Sequence, residues 1–152
     1  MENKIVKNTA VSVQQRILVF DLESKNFGIE LTKIKEITDL LPTARLPGAL
    51  KYVKGLGNLR GEIIPIISLR DRLNIGGNEK GKQLIIILGK NLNYGLLIDK
   101  IEGIYDVKTG VSKSVSKIFS TDVETSFLTG VVKVDNKDVI LLNSDKLISI
   151  KE

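Results

Sequence analysis

The sequence has no cysteine, no histidine and no tryptophan, and it has only three tyrosines and four phenylalanines. The absence of cysteine excludes disulfides and thiolate metal sites. The absence of histidine removes the commonest general base and the commonest metal ligand. No apolar run reaches about 18 residues, so no membrane-spanning helix is predicted. The first residues lack the apolar run of a signal peptide, which predicts a cytoplasmic protein.

Charge is spread through the chain and forms no block of five like charges. The net charge is +5, which raises the question of nucleic-acid binding. Residues 1–76 hold 12 basic and 8 acidic side chains, and residues 77–152 hold 11 and 10. This distribution is typical of a solvated surface, and few aromatic residues are present to stack on bases. A basic nucleic-acid-binding β-barrel therefore stays as an alternative.

Many short apolar segments separated by turns predict an all-β protein with a few short helices. Its 152 residues suffice for one domain, or for two small lobes that share a core. We expect residues 1–14 to form a flexible tail and residues 15–150 to form the domain, with a boundary between lobes near 76–82. The predicted strands are Arg16–Leu22, Lys25–Glu30, Ile63–Leu69, Leu84–Leu88, Tyr94–Ile98, Ile101–Val107, Val131–Val134 and Val139–Leu142.

Short helices are predicted between some of these strands. In Leu31–Ile37 every third residue is apolar, which would place these side chains on one face of a helical turn or two. Ala49–Val53 is a second candidate. Ser68 is expected to cap a third helix that runs through Leu73. Pro65 lies inside an apolar strand, which indicates an edge strand or a bulge.

The chain repeats itself. An offset of 67 places residues 17–37 on residues 84–104 without a gap and with five identities, and an offset of 75 places Gly55 on Gly130. The repeat predicts two lobes, each built from one copy as hairpin, short helix, extended segment, turn, strand and helix. Ile34 and Ile101 would take equivalent places where the lobes meet, and an apolar groove there could bind a helix of another protein.

The stretch Gly55–Leu69 has three glycines before an apolar strand. We expect these glycines to form a turn that displays Asn58 and Arg60. The glycine spacing is not that of a phosphate-binding loop. In addition, a strand follows where such a loop needs a helix. Two interpretations of Arg60 are open: a local ion pair with Glu62 or another acid, or a bidentate contact with a partner.

No set of residues converges on a catalytic site. Asp99 with Glu102 and Asp135 with Asp138 could be drawn as acid–base pairs, but Asp99 lies where a strand should end and Asp135 lies in a turn. The sequence therefore predicts no enzyme and no cofactor.

The segment Asn58–Gly61, followed by Ile64–Ile67 with its internal proline, resembles the core motif of the CheW family of chemotaxis coupling proteins. Phe27–Ile29, Gly95–Ile104 and Leu128–Gly130 are similar to other segments of that family. The resemblance covers about residues 15–150.

Two positions depart from the family pattern. Gly57 stands where the family usually has a larger apolar residue, and Ser68 stands where Asp or Asn is common. The same module also occurs as the regulatory domain of the histidine kinase CheA and in fusion with a receiver domain. Those settings stay as alternatives.

The resemblance implies two five-stranded SH3-like barrels around a shared core, with no catalysis and no cofactor. It implies an adaptor, monomeric when alone, that links chemoreceptors to CheA in membrane-associated arrays without entering the membrane or binding nucleic acid. The cytoplasmic tip of a methyl-accepting receptor would dock between the lobes, and the CheA regulatory domain would pair barrel to barrel, with Phe119 near that edge. The residues implied to line or border the groove are Leu31, Ile34, Glu36, Ile37, Asn58, Arg60, Ile101 and Ile104.

Overall fold

The structure is a computed structural model that describes residues 14–108 and 126–148. The predicted tail lies outside these residues except for Gln14, which begins the first strand. Phe119 also lies outside the described residues.

The described residues form eleven strands and three very short helices, which confirms the mainly β fold. The strands are β1 Gln14–Leu22, β2 Lys25–Glu30, β3 Ile34–Asp39, β4 Thr43–Ala44, β5 Val53–Leu59, β6 Glu62–Ser68, β7 Gln83–Ile87, β8 Tyr94–Ile98, β9 Lys100–Lys108, β10 Leu128–Val134 and β11 Lys137–Leu142. A single turn of α-helix, α1, spans Leu69–Arg72, and 3-10 helices span Leu31–Lys33 and Ser144–Lys146.

The strands form two sheets, which are the two lobes. The first sheet has five strands in the order β10-β11-β2-β1-β9, and the second has six in the order β3-β7-β8-β6-β5-β4. The second sheet has one strand more than the five predicted for each lobe, and this extra strand is the two-residue β4. Three hairpins turn at Glu23–Ser24, Arg60–Gly61 and Asp135–Asn136, where both residues have positive φ. Two-residue turns of this kind match the twist of the strands that they join.

The pairing confirms the internal repeat. With offsets of 67 and 75, the first sheet maps onto the second without β4. Leu18 pairs with Ile104 in one lobe and Ile85 with Ile37 in the other, so the register is the same.

The expectation that each copy forms its own lobe is wrong. Hairpin β1–β2 joins β9, β10 and β11 from the second copy, whereas hairpin β7–β8 joins β3, β5 and β6 from the first. The two copies therefore exchange hairpins. Periodicity cannot specify this exchange, because either pairing buries the same faces.

A large apolar cluster lies between the two sheets and is shared by the lobes. It takes Leu18, Phe20 and Phe27 from one sheet and residues such as Ile85 and Tyr94 from the other. Each sheet also buries a smaller cluster on its opposite face. Both faces of the central strands are thus covered, which explains why those strands are continuously apolar.

Two helix predictions are wrong. Leu31–Ile37 has one 3-10 turn and then enters β3, where pairing with β7 satisfies its backbone. Ala49–Val53 contains turns closed by hydrogen bonds from Ala49 N to the Leu46 carbonyl (3.1 Å) and from Val53 N to the Leu50 carbonyl (2.9 Å). The predicted cap is confirmed, because the Ser68 hydroxyl accepts a hydrogen bond from the Asp71 amide at 3.1 Å.

The glycine-rich stretch also differs from the expectation. Gly55 and Gly57 lie within β5, and only Gly61 lies in the turn. Gly55 has φ of +152° at a bulge, and a β-carbon there would lie 2.3 Å from the Ala44 carbonyl oxygen. Only glycine fits such a position. Pro65 lies on an interior strand, so the edge prediction is wrong, although the parallel pairing with β8 begins only at the next residue.

Candidate functional site

Arg60 lies at the tip of the β5–β6 hairpin, with φ of +48°. The Asn58 side-chain oxygen accepts a hydrogen bond from the Gly61 amide at 2.8 Å, which fixes the turn. The Arg60 guanidinium pairs with the Glu36 carboxylate on β3, and its side chain is still 66% exposed. The acidic partner of Arg60 is therefore Glu36. Glu62 instead pairs with Lys35 at 3.3 Å. Arg60 keeps N–H donors that face solvent and could contact a partner.

These two ion pairs also show that the second sheet curls. Strand β3 is at one edge of this sheet, and three strands separate it from β5. The hairpin β5–β6 nevertheless contacts β3 through both pairs, Arg60–Glu36 and Lys35–Glu62. The curl brings the Asn58–Gly61 turn and the Glu36 region together on one surface.

Four predicted isoleucines share the side of the sheets that faces the shared cluster. Ile34 and Ile37 pair with Ile87 and Ile85, which both belong to that cluster. Directly opposed residues point to the same face of a sheet. A bulge between Ile34 and Glu36 adds one residue, so side chains three apart lie on one face although the segment is a strand.

The second copy repeats this arrangement on β9. Ile101 pairs with Phe20 and Ile104 with Leu18, again across a bulge. Ile34, Ile101 and Leu31 are partly buried against the shared cluster. Ile104 is 53% exposed, and its counterpart on β3 is exposed too. The structure thus puts the four isoleucines along two edge strands, at the rim of the apolar layer between the lobes.

Sequence reasoning missed Ile63, which is 58% exposed and lies directly opposite Asn58. In the other lobe the equivalent positions hold Asp138 and Lys133, which form an ion pair at 3.2 Å. The first copy therefore has an exposed aliphatic side chain where the second copy has a charged pair. The 75-residue offset already aligned Ile63 with Asp138 and could have revealed it. The residues that line an open apolar cleft at this place are Pro42, Thr43, Ala44, Leu56, Gly57, Asn58 and Ile63.

A buried arginine was also missed. Arg70 in α1 is 1% exposed, and it pairs with Glu23 in the β1–β2 turn of the first sheet and with Asp99, which joins β8 of the second sheet to β9 of the first. Its Nη2 lies 3.1 Å from both Asp99 oxygens, and its Nη1 donates to the Gly76 carbonyl at 3.1 Å. This arginine fastens the two lobes together, and it explains Asp99 as a structural residue.

Glu102, the other member of that supposed acid–base pair, lies beside Asp21. Burial, a hydrogen bond with Glu102 and its negative charge together raise the pKa of Asp21 from 3.8 to about 6. The same hydrogen bond lowers the pKa of Glu102. No group of three or more acidic side chains within residues 14–108 and 126–148 is placed to hold a metal ion.

A family model described as the CheW-like domain matches residues 16–152. The chain belongs to the CheW family. The chemotaxis protein CheW of Klebsiella aerogenes is 29% identical over 152 residues, covering 97% of this chain and 90% of that protein. CheW of Treponema pallidum is 30% identical over 145 residues, covering 91% of this chain and 85% of that protein.

The solved structures include a CheW protein of similar architecture. The scaffolding protein TtCheW from Thermoanaerobacter tengcongensis matches with a TM-score of 0.79 and 26% identity, covering 91% of this chain and 90% of that one. The chain is thus a member of a family of chemotaxis scaffold and coupling proteins, as the sequence resemblance implied. Among residues 14–108 and 126–148, no helix has the length and hydropathy needed to cross a membrane.

Proposed function

We propose that this protein is a non-enzymatic adaptor that couples transmembrane chemoreceptors to the histidine kinase CheA. The observation that carries the proposal is the pseudo-symmetric rim of isoleucines between the lobes, two of which are exposed, together with the nearby Arg60–Glu36 pair. Exposed aliphatic side chains that form a patch beside the core are typical of a surface that another protein covers.

The inter-lobe rim fits a receptor tip. A helical hairpin presents an apolar stripe flanked by polar residues, and such a stripe can lie along the isoleucines while its polar flank meets Arg60 and Asn58. The residues that we assign to this surface are Leu31, Ile34, Glu36, Ile37, Asn58, Arg60, Ile101 and Ile104.

An adaptor needs a second surface, and the cleft around Ile63 supplies an apolar candidate. A domain of the same fold, such as the regulatory domain of CheA, could cover Ile63 and Pro42 by pairing lobe to lobe. Phe119 stays a predicted kinase contact outside the described residues.

The test is retention of a receptor cytoplasmic fragment and of CheA by the immobilised protein. Ile37→Asp is expected to lose the receptor, because it places a charge in the apolar rim while causing little unfolding at an exposed site. Leu40→Asp is the matched control, because Leu40 is also exposed but lies beyond the end of β3.

Arg60→Ala is expected to weaken receptor retention with an unchanged melting temperature, because its ion pair is largely exposed. Arg16→Ala is the control, since Arg16 is similarly exposed and forms an ion pair with Asp106 within the first sheet. If the wild-type protein retains neither partner, the adaptor function is wrong. A large loss of melting temperature in Arg60→Ala with full binding would make Arg60 a structural residue.

A further inference from the structure

The longest stretch without acidic residues in the first half of the chain lies between Asp39 and Glu62. It contains four basic residues and no Asp or Glu: Arg45, Lys51, Lys54 and Arg60. Charges elsewhere are interspersed. This segment is therefore an exception to the mixed surface that the composition predicts.

The middle of this segment folds into an open cleft. Residues 45–51 line it together with Val53 and Lys54, and its volume is about 830 Å³. The two turns at residues 46–49 and 50–53 are each closed by a backbone hydrogen bond, and Gly48 has φ of +80° as the first turn requires. The loop is thus held in one shape before anything binds, which lowers the entropic cost of binding.

The cleft presents positive charge beside aliphatic surface. Lys54 is neutralised by Asp71 at 2.8 Å. Arg45 and Lys51 form no ion pair with any residue in the described part of the chain. Leu46 and Leu50 are each 45% exposed in the same loop. Two uncompensated cations therefore stand next to two half-exposed leucines.

We propose that the loop of residues 45–54 is a docking surface for an acidic segment of a partner protein that carries aliphatic side chains among its carboxylates. Arg45 and Lys51 would pair with the carboxylates, and the leucines would cover the aliphatic side chains. The surface is separate from the residues assigned to the receptor, so it stands or falls independently of the adaptor function.

Two other anionic partners fit the loop less well. Nucleic acid would need exposed aromatic faces, but Tyr52 is buried and its ring is covered by the Arg72 guanidinium at 4.0 Å. An anionic membrane would need apolar side chains that protrude, whereas more than half of each leucine already lies against the protein.

The experiment uses the isotope-labelled full chain and a synthetic helical peptide of about 18 residues, with leucines on one face and glutamates elsewhere. We expect the peptide to bind and to shift the amide signals of residues 45–54, and a peptide with glutamine for glutamate to bind about tenfold more weakly. Raising the salt from about 0.05 M to about 0.5 M should weaken the glutamate peptide by a similar factor.

Arg45→Glu/Lys51→Glu is expected to lose at least about tenfold in affinity. The matched control is Lys82→Glu/Lys90→Glu, which changes the net charge equally at two exposed lysines away from the loop. Leu46→Ser/Leu50→Ser tests whether the two leucines contribute to the binding of the peptide.

Four results would overturn the proposal. They are no binding by the wild-type chain, shifts located elsewhere, equal losses in the control variant, and binding of a single-stranded oligonucleotide or an anionic phosphatidylglycerol vesicle at least as tight as that of the peptide. A melting scan of each variant separates lost binding from lost folding.

Discussion

Replacing Arg70 by methionine tests whether one buried cation fastens the two lobes. The Arg70 side chain is fully buried and contacts Glu23 in the β1–β2 turn of the first sheet, Asp99 in the link between the sheets and the Gly76 carbonyl. Methionine keeps much of the volume but removes every one of these bonds. The substitution therefore leaves the packing largely intact and deletes the charge.

The expected cost follows from what is left behind. Breaking a buried ion pair by removing one partner typically costs about 3–5 kcal/mol, because the other charge stays buried without compensation. Here Asp99 is largely buried, but the Glu23 side chain is 39% exposed and has Lys80 at 3.9 Å. The loss should therefore lie near the lower limit, about 3 kcal/mol. For a chain of this length that corresponds to a melting temperature lower by about 10 °C.

The assay is urea unfolding of a double-mutant cycle. Asp99→Asn alone should cost about 1–2 kcal/mol, because asparagine can still accept one hydrogen bond. The double variant should lose less than the sum of the single variants, because no Asp99 carboxylate is then left buried without its cation. Additive losses, or a neutral Arg70→Met, would refute the idea that this cluster fastens the lobes.

Three further predictions concern residues within the strands. Gly55→Val should cost about 3 kcal/mol or more in urea unfolding, since φ of +152° and a carbonyl oxygen 2.3 Å from the new β-carbon leave no room. Gly61→Asn, in a turn with open space, should cost far less. Tyr94→Phe should cost about 1 kcal/mol, because the hydroxyl donates to the buried Ser144 carbonyl at 2.7 Å. Asp21→Asn should stabilise the protein near neutral pH, as measured by unfolding across a pH series.

The sign of the Asp21 effect follows from its raised pKa. A carboxyl group with a pKa of about 6 in the folded chain and 3.8 otherwise binds its proton more tightly when folded. Its ionisation therefore lowers stability as the pH rises from about 4 to about 6. The asparagine variant should lack this decline, and solvent screening limits the gain at pH 7 to about 1 kcal/mol. A variant less stable than the wild type at pH 7 would contradict the assignment. So would identical pH curves.

Local elements could be predicted because they depend on neighbouring residues. Strand β2 begins and ends at the predicted Lys25 and Glu30, and Ser68 caps its helix as expected. The helix prediction for Leu31–Ile37 was wrong for a physical reason. An apolar residue at every third position fits a helix, but it equally fits a strand whose bulge adds one residue. Both arrangements place Ile34 and Ile37 on one face, so the prediction that these two side chains share a face is confirmed although the element is a strand.

The prediction of a turn from the three glycines was wrong for a similar reason. Glycine signals positive φ or close approach, but it does not say which. Gly61 supplies a turn, whereas Gly55 lies at a bulge in the β5–β6 pairing and allows the close approach of β4. Ile63 was missed because an isoleucine in an apolar strand is normally buried, and only the register shows that it lies outside the core.

Local periodicity, spacing and motif suffice to predict most of the strands, the two copies and the family. Which hairpin pairs with which copy can be learned only from the tertiary structure, since both choices bury the same apolar faces. The tertiary structure also brings Arg60 to Glu36 and buries Arg70 beside Glu23 and Asp99. Those contacts join residues far apart in the chain, and long-range electrostatic pairing leaves no periodic trace in a single sequence.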